Sequence, residues 1–164
     1  MLKETGVPTE KELTKATPPQ ERLKEGPVAV IECFEEIPCN PCFTFCNTGA
    51  ITEFDNINDL PQIDYDDCTG CGICISNCPG LAIFVIDQSF SDTQSIVRIP
   101  WEMHWTPAAG DTVEALNRKG EAVCRARVER VQDSKKQDKT KVIWLVVDDQ
   151  LAMEVRSMRM VDDK

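Results

Sequence analysis

The 164-residue chain carries a formal net charge of −10 and an ordinary apolar fraction of 41 %, but it has nine cysteines, far above the usual share. All of the net charge lies in residues 31–100, where eleven acids face one base, Arg98; the flanking stretches balance. Such a chain lacks the basic footprint of nucleic-acid binding, and no stretch approaches the roughly 20 apolar residues that span a membrane.

Three regions follow in chain order. Residues 1–27 are polar, with Pro8, Pro18, Pro19 and Pro27 and few large apolar side chains. They are expected to form an extended arm with one helical turn, ordered only against a partner or the rest of the fold. Met1 to Lys24 alternates charges and contains no apolar run of signal-peptide length. A cytoplasmic, reducing setting is therefore expected, in which thiols remain free for metal instead of pairing as disulfides.

Residues 28–99 hold eight of the nine cysteines, between Cys33 and Cys78. An internal repeat lies here at an offset of 32 residues: Cys39, Cys42, Cys46, Ala50 and Ile51 fall on Cys71, Cys74, Cys78, Ala82 and Ile83, and Ile31 falls on Ile63. Each copy suggests an apolar strand, a cysteine loop, a short helical turn and a second strand. The candidate strands are residues 28–32, 51–54, 62–65 and 82–87. Residues 100–164 have a different rhythm. Strands are expected over 112–116, 122–131 and 142–147, a polar loop over 134–141, and a short helix over 150–158, forming a small, mostly-β, barrel-like region.

The second copy reads Cys68-Thr-Gly-Cys71-Gly-Ile-Cys74-Ile-Ser-Asn-Cys78-Pro79. In Cys-x2-Cys-x2-Cys every third residue turns its sulfur inward, so three thiolates can wrap three corners of an iron–sulfur cube. The x3 spacer begins a helical turn that carries the fourth cysteine away, and in two-cluster proteins that cysteine serves the other cluster. Zinc is the competing reading, but zinc sites use separated cysteine pairs and rarely crowd four into such a run. The first copy departs from the pattern. Glu36 stands where the offset places a cysteine, Cys33 lies three residues earlier, and Asn47 replaces the proline after the fourth position. If the loop 34–38 bulges, two 4Fe-4S clusters form by crossed ligation, one on Cys33, Cys39, Cys42 and Cys78 and one on Cys46, Cys68, Cys71 and Cys74. If Cys33 cannot reach, the first site holds a 3Fe-4S cluster or none.

On these motifs residues 28–87 resemble a bacterial-type two-cluster (2 × 4Fe-4S) ferredoxin. The resemblance implies an α+β fold, a ferredoxin-like (βαβ)2 cluster domain with helices over one face of an antiparallel sheet. More loosely, the stretch from Gly26-Pro-Val-Ala-Val-Ile-Glu-Cys33 to Ile37-Pro-Cys-Asn-Pro-Cys42, with the C-terminal region, looks like the ferredoxin-like small subunits of multi-subunit FAD-dependent dehydrogenases. That likeness implies a hetero-oligomer with flavoprotein dehydrogenase subunits.

No acid–base pair or nucleophile is arranged for catalysis. A cluster with four thiolate ligands has no open iron, so the expected role is one-electron transfer as a subunit of an oxidoreductase complex. A free-standing low-potential ferredoxin and a structural or redox-sensing cluster protein are the alternatives. Among the remaining residues, His104 between Trp101 and Trp105 is expected to be a packed linker residue, with a ligand or proton-relay role as the rival. Trp101, Trp105 and Trp144 suit either core packing or an aromatic docking patch. Cys124 is expected to be an ordinary buried thiol. Arg118, Lys119, Arg125, Arg127 and Arg130 are expected on a solvated sheet face.

Overall fold

A computed structural model describes residues 2–161; residue 1 of the expected arm and residues 162–164 of the C-terminal region lie outside them. Seven strands form one antiparallel sheet: β1 (Val28–Ile31), β2 (Ile83–Asp87), β3 (Gln94–Trp101), β4 (Thr112–Leu116), β5 (Ala122–Gln132), β6 (Lys141–Asp148) and β7 (Ser157–Met160). Their order is β1-β2-β3-β6-β5-β4-β7. Period-2 side-chain alternation explains the layering. On β1, Val28 and Val30 join one core and Ala29 and Ile31 another; on β2, Phe84 and Ile86 face the first core and Ile83 and Val85 the second. These strands are buried on both faces, so they read as unbroken apolar runs rather than as alternation. The cysteine loops cover one face, and the coiled remainder of the sheet encloses the other.

β3 is the hinge of this arrangement. It pairs with β2 and, along its whole length, with β6. The sheet is therefore continuous across residues 99 and 100, where composition places a boundary. β1 and β7 stand at opposite edges, yet Val28, Val30 and Met158 share one core, so the sheet curls upon itself. Of the inner strands expected at 51–54 and 62–65, only a bridge between Ile51 and Ile63 forms. The segment expected as a helix over 150–158 is a single 3-10 turn (Asp149–Leu151) that runs on into β7. Its apolar residues, Ala152, Val155 and Met158, close the larger core, and that packing overrides helical spacing.

Residues 2–27 are not an extended arm. They contain three short helices, α1 (Leu2–Thr5), α2 (Glu10–Ala16) and α3 (Gln20–Glu25). Thr9 and Glu12 close a reciprocal capping box at the start of α2. Leu23 of α3 is buried in the larger core. Arg22 extends beside it: Nε donates to Tyr65 O at 2.9 Å, Nη1 to Gly26 O at 3.1 Å, and Nη2 to Pro27 O at 3.1 Å and Cys68 O at 2.5 Å. One guanidinium thus ties the first motif's approach to the start of the second. An Arg22→Ala variant leaves these carbonyls without their charged donor and should lose about 2–3 kcal/mol of stability, read as a lower denaturation midpoint.

A second clamp joins β1 to the C-terminal half. Glu32, next to Cys33, accepts from Arg118 Nε at 2.9 Å and from Arg156 Nε at 2.8 Å. Its side chain is 8 % exposed and that of Arg156 is 4 %. Arg118, expected on a solvated face, is instead part of a buried ion triad. The other members of that set do face outward: Arg127 pairs with Glu129, and Arg130 lies over Trp144.

Candidate iron–sulfur site

The two cysteine loops sit on the smaller core. Pro41 follows Asn40 at the first position of α4 (Pro41–Thr44), where its missing N–H costs nothing. The loop before α5 (Ile73–Asn77) turns on Gly70 (φ +63°) and Gly72 (φ +80°). Gly70 has no alternative, because a Cβ there would lie 2.3 Å from Pro27 O.

Each loop contributes to both of two hollows. Cys46, Cys68, Cys71 and Cys74 line one; Cys33, Cys39, Cys42 and Cys78 line the other. Cys33 lines the second although it is displaced from the repeat. Its loop bulges outward, with Glu35, Glu36, Ile37 and Pro38 exposed, and Cys39 N donates to Ile57 O at 3.1 Å. The crossing is carried by α4 and α5, which pack together and deliver Cys46 to the second motif's hollow and Cys78 to the first's.

Thiol electrostatics divide along the same line. Burial pushes the Cys74 thiol up to about 12, aided by the charges of Cys68, Cys71 and Cys46. Burial, with Cys78, Cys33 and Cys39 nearby, pushes Cys42 up to about 11. Cys33 is raised by burial and by Cys78 and Cys39. Burial also opposes ionisation of Cys46, but hydrogen bonds from Ile51 N and Thr48 outweigh it, and that thiol falls below its ordinary range. Raised thiols of this kind stay protonated at neutral pH, and a metal centre bound among them would favour the thiolate form.

Backbone amides point at the sulfurs. Ala29 N donates to Cys68 Sγ at 3.4 Å, Ile51 N to Cys46 Sγ at 3.4 Å, and Ala82 N to Cys78 Sγ at 3.5 Å. Ile51 and Ala82 lie in matching stretches of the repeat. Asn47, in the place of the expected proline, reaches across the motifs, and the Cys71 thiol donates to its Oδ1 at 3.9 Å. Nothing in the spacing of the cysteines signals that role. The foursomes ring their hollows rather than meet at a point, and among the described residues no three His, Cys, Asp or Glu side chains lie close enough for a single metal ion. A cube takes one thiolate at each of four corners, and each hollow is lined by four cysteines. The donor sets therefore fit the cluster.

Other singled-out residues lie elsewhere. His104 is exposed on a turn, contrary to the packed position expected of it, and lines neither hollow. Trp101 is buried and its Nε1 donates to Trp105 O at 2.5 Å, with the two rings edge-on at 6.1 Å. Packing, not docking, is their visible role. Cys124 is half-buried against the larger core and is unpaired.

Residues 61–84 fit the family model for a 4Fe-4S binding domain. The pyruvate synthase subunit PorD of Methanocaldococcus jannaschii is 49 % identical over 47 residues, covering 29 % of this chain and 52 % of that one. The subunit of the same name from Methanothermobacter marburgensis is 45 % identical over 47 residues, covering 29 % and 51 %. The match thus spans about half the length of these relatives. No solved structure matches the chain. Residues 61–84, bearing Cys68, Cys71, Cys74 and Cys78, are thus similar to a 4Fe-4S binding domain.

Proposed function

We propose that this chain is the electron-transfer iron–sulfur subunit of a multi-subunit oxidoreductase and relays single electrons through two 4Fe-4S clusters. The observation that carries this reading is the division of eight cysteines into two rings of four, each drawing three from one motif and one from the other. Cys33, Cys39, Cys42 and Cys78 hold the first cluster; Cys46, Cys68, Cys71 and Cys74 hold the second.

Each cluster, when bound, supplies one reversible electron and no open iron for substrate. The chain's own residues do the rest. Ala29, Ile51 and Ala82 direct amides at the sulfurs and offset their negative charge. Ile31, Ile51, Ile75 and Ile83 exclude water from the inner side of the loops. Cys71 is the exposed cysteine, between Phe45 and Ile73, which are 50 % and 37 % exposed. It marks the edge at which an electron passes to or from a partner.

Substrate chemistry belongs to that partner. The relatives named as pyruvate synthase subunits support an oxidoreductase in this position; the flavoprotein dehydrogenase expected from the sequence rests on the looser resemblance alone. Iron and sulfide analysis of anaerobically prepared protein should find about eight irons per chain, with spin-coupled EPR signals after dithionite reduction. About four irons would confine the cluster to the second motif, and a colourless protein would end the reading altogether. Native size-exclusion separates the subunit from a free carrier, since a lone species of the chain's own mass would sink the former.

A further inference from the structure

The two hollows differ in charge more than in shape. Glu35 and Asp59 line the one formed by Cys33, Cys39, Cys42 and Cys78, and no cation does. No carboxylate lines the other. Behind it lies Arg98, the single base of residues 31–100, in the middle of β3. Arg98 is 7 % exposed, and Nη1 donates to Gly70 O at 2.8 Å, inside the Cys68–Cys71 loop. The same nitrogen would lie 3.8 Å from a Cβ built on Gly72. Its guanidinium stacks on Trp144 at 3.8 Å, and its Nε is buried without a partner. Asp87 and Arg130 are its other charged neighbours. The arginines near Cys33 do not restore symmetry. Arg118 and Arg156 enclose Glu32 and leave one net positive charge there, which the two carboxylates of Glu35 and Asp59 outnumber.

We infer that Arg98 sets the order of potentials: its buried positive charge makes the cluster held by Cys46, Cys68, Cys71 and Cys74 the more easily reduced of the two. Adding an electron makes a cluster more negative. A cation held in a poorly screened interior favours that state, whereas the carboxylates at the other hollow oppose it. One electron placed on the pair therefore rests on the cluster beside Arg98. The role is one of tuning, since Arg98 reaches the cysteines through the Gly70 carbonyl and the loop backbone.

The inference rests on the two-cluster reading, and EPR-monitored redox titration of the full chain tests it. Cys39→Ser and Cys71→Ser variants assign the two signals. In the wild type, the signal altered by Cys71→Ser should appear first on reduction. Arg98→Met should cut the preference for that cluster by about tenfold, equivalent to about 59 mV for one electron, and Arg98→Lys should retain most of it. Should Arg98→Met fail to fold, Glu35→Gln, on an exposed side chain of the other hollow, must narrow the gap by easing reduction there. Reversed order in the wild type, or a gap unmoved by Arg98→Met or by Glu35→Gln, overturns the inference even with about eight irons per chain. Finding only about four irons would instead remove the two-cluster reading beneath it.

Discussion

A Gly70→Ala variant is expected to lose the cluster proposed for the second motif, with iron falling from the proposed total of about eight to about four per chain. Two separate costs act at this one residue. A left-handed backbone at φ +63° costs an alanine about 1–2 kcal/mol. The larger cost is steric: the new Cβ would lie 2.3 Å from Pro27 O and 2.4 Å from Pro27 C, so either the loop or the lead into β1 must move. Neither is free to do so. Pro27 O and Cys68 O both accept from Arg22, and Gly70 O accepts from Arg98. A shift of the loop would carry Cys68 and Cys71 away from Cys46 and Cys74. Iron analysis with EPR reads the result. Retention of about eight irons would show that the loop tolerates a side chain there and that its close approach to Pro27 does not position the ligands.

Glu32→Gln should lower stability at neutral pH by about 3–5 kcal/mol, the scale for breaking a buried ion pair while leaving its partners charged. Burial alone would raise the Glu32 carboxyl, but the Arg118 hydrogen bond and the charges of Arg156 and Arg118 outweigh it and hold the group below its ordinary range. The sign of the pH dependence follows. A carboxyl depressed in the folded state contributes fully above its unfolded pKa of about 4.3 and loses that contribution as pH falls through the lower folded value. The difference between wild type and Glu32→Gln in urea should be constant near neutrality and shrink below about pH 4. A difference independent of pH across that window would assign the effect to packing. Because Glu32 adjoins Cys33, the same variant should also loosen the first hollow, with iron lost more readily to chelator than from wild type.

The cysteine chemistry was legible because it is local. Within Cys68 to Cys78 the spacing dictates which sulfurs turn inward, and the family match at residues 61–84 falls on that run. The strands at 112–116, 122–131 and 142–147 were equally plain, the first two from alternating apolar positions and the third from an unbroken apolar run. β3 was not foreseen, although it is the strand that joins the two halves. Its run Ser95-Ile-Val-Arg-Ile-Pro carries an arginine and a proline, which argue against a central strand; Arg98 is accommodated by stacking on Trp144 and bonding to Gly70 O. The N-terminal segment was also misjudged. Its few apolar residues do not announce a packed element, and only contact with the sheet shows that Leu23 and Arg22 are anchors.

Ligand type, motif spacing and the concentration of acids around the cysteines were thus settled by the linear order of residues, since each depends on neighbours a few positions apart. The tertiary structure alone decided what depends on residues far apart in sequence. It brought Cys33 beside Cys78 despite the displaced position, because the loop 34–38 has room to bulge into solvent. It carried one sheet through both halves, because β1 and β2 bury both faces and need a cover on each. It also placed Arg98 behind one hollow and the carboxylates of Glu35 and Asp59 at the other, an asymmetry that a near-symmetric repeat conceals.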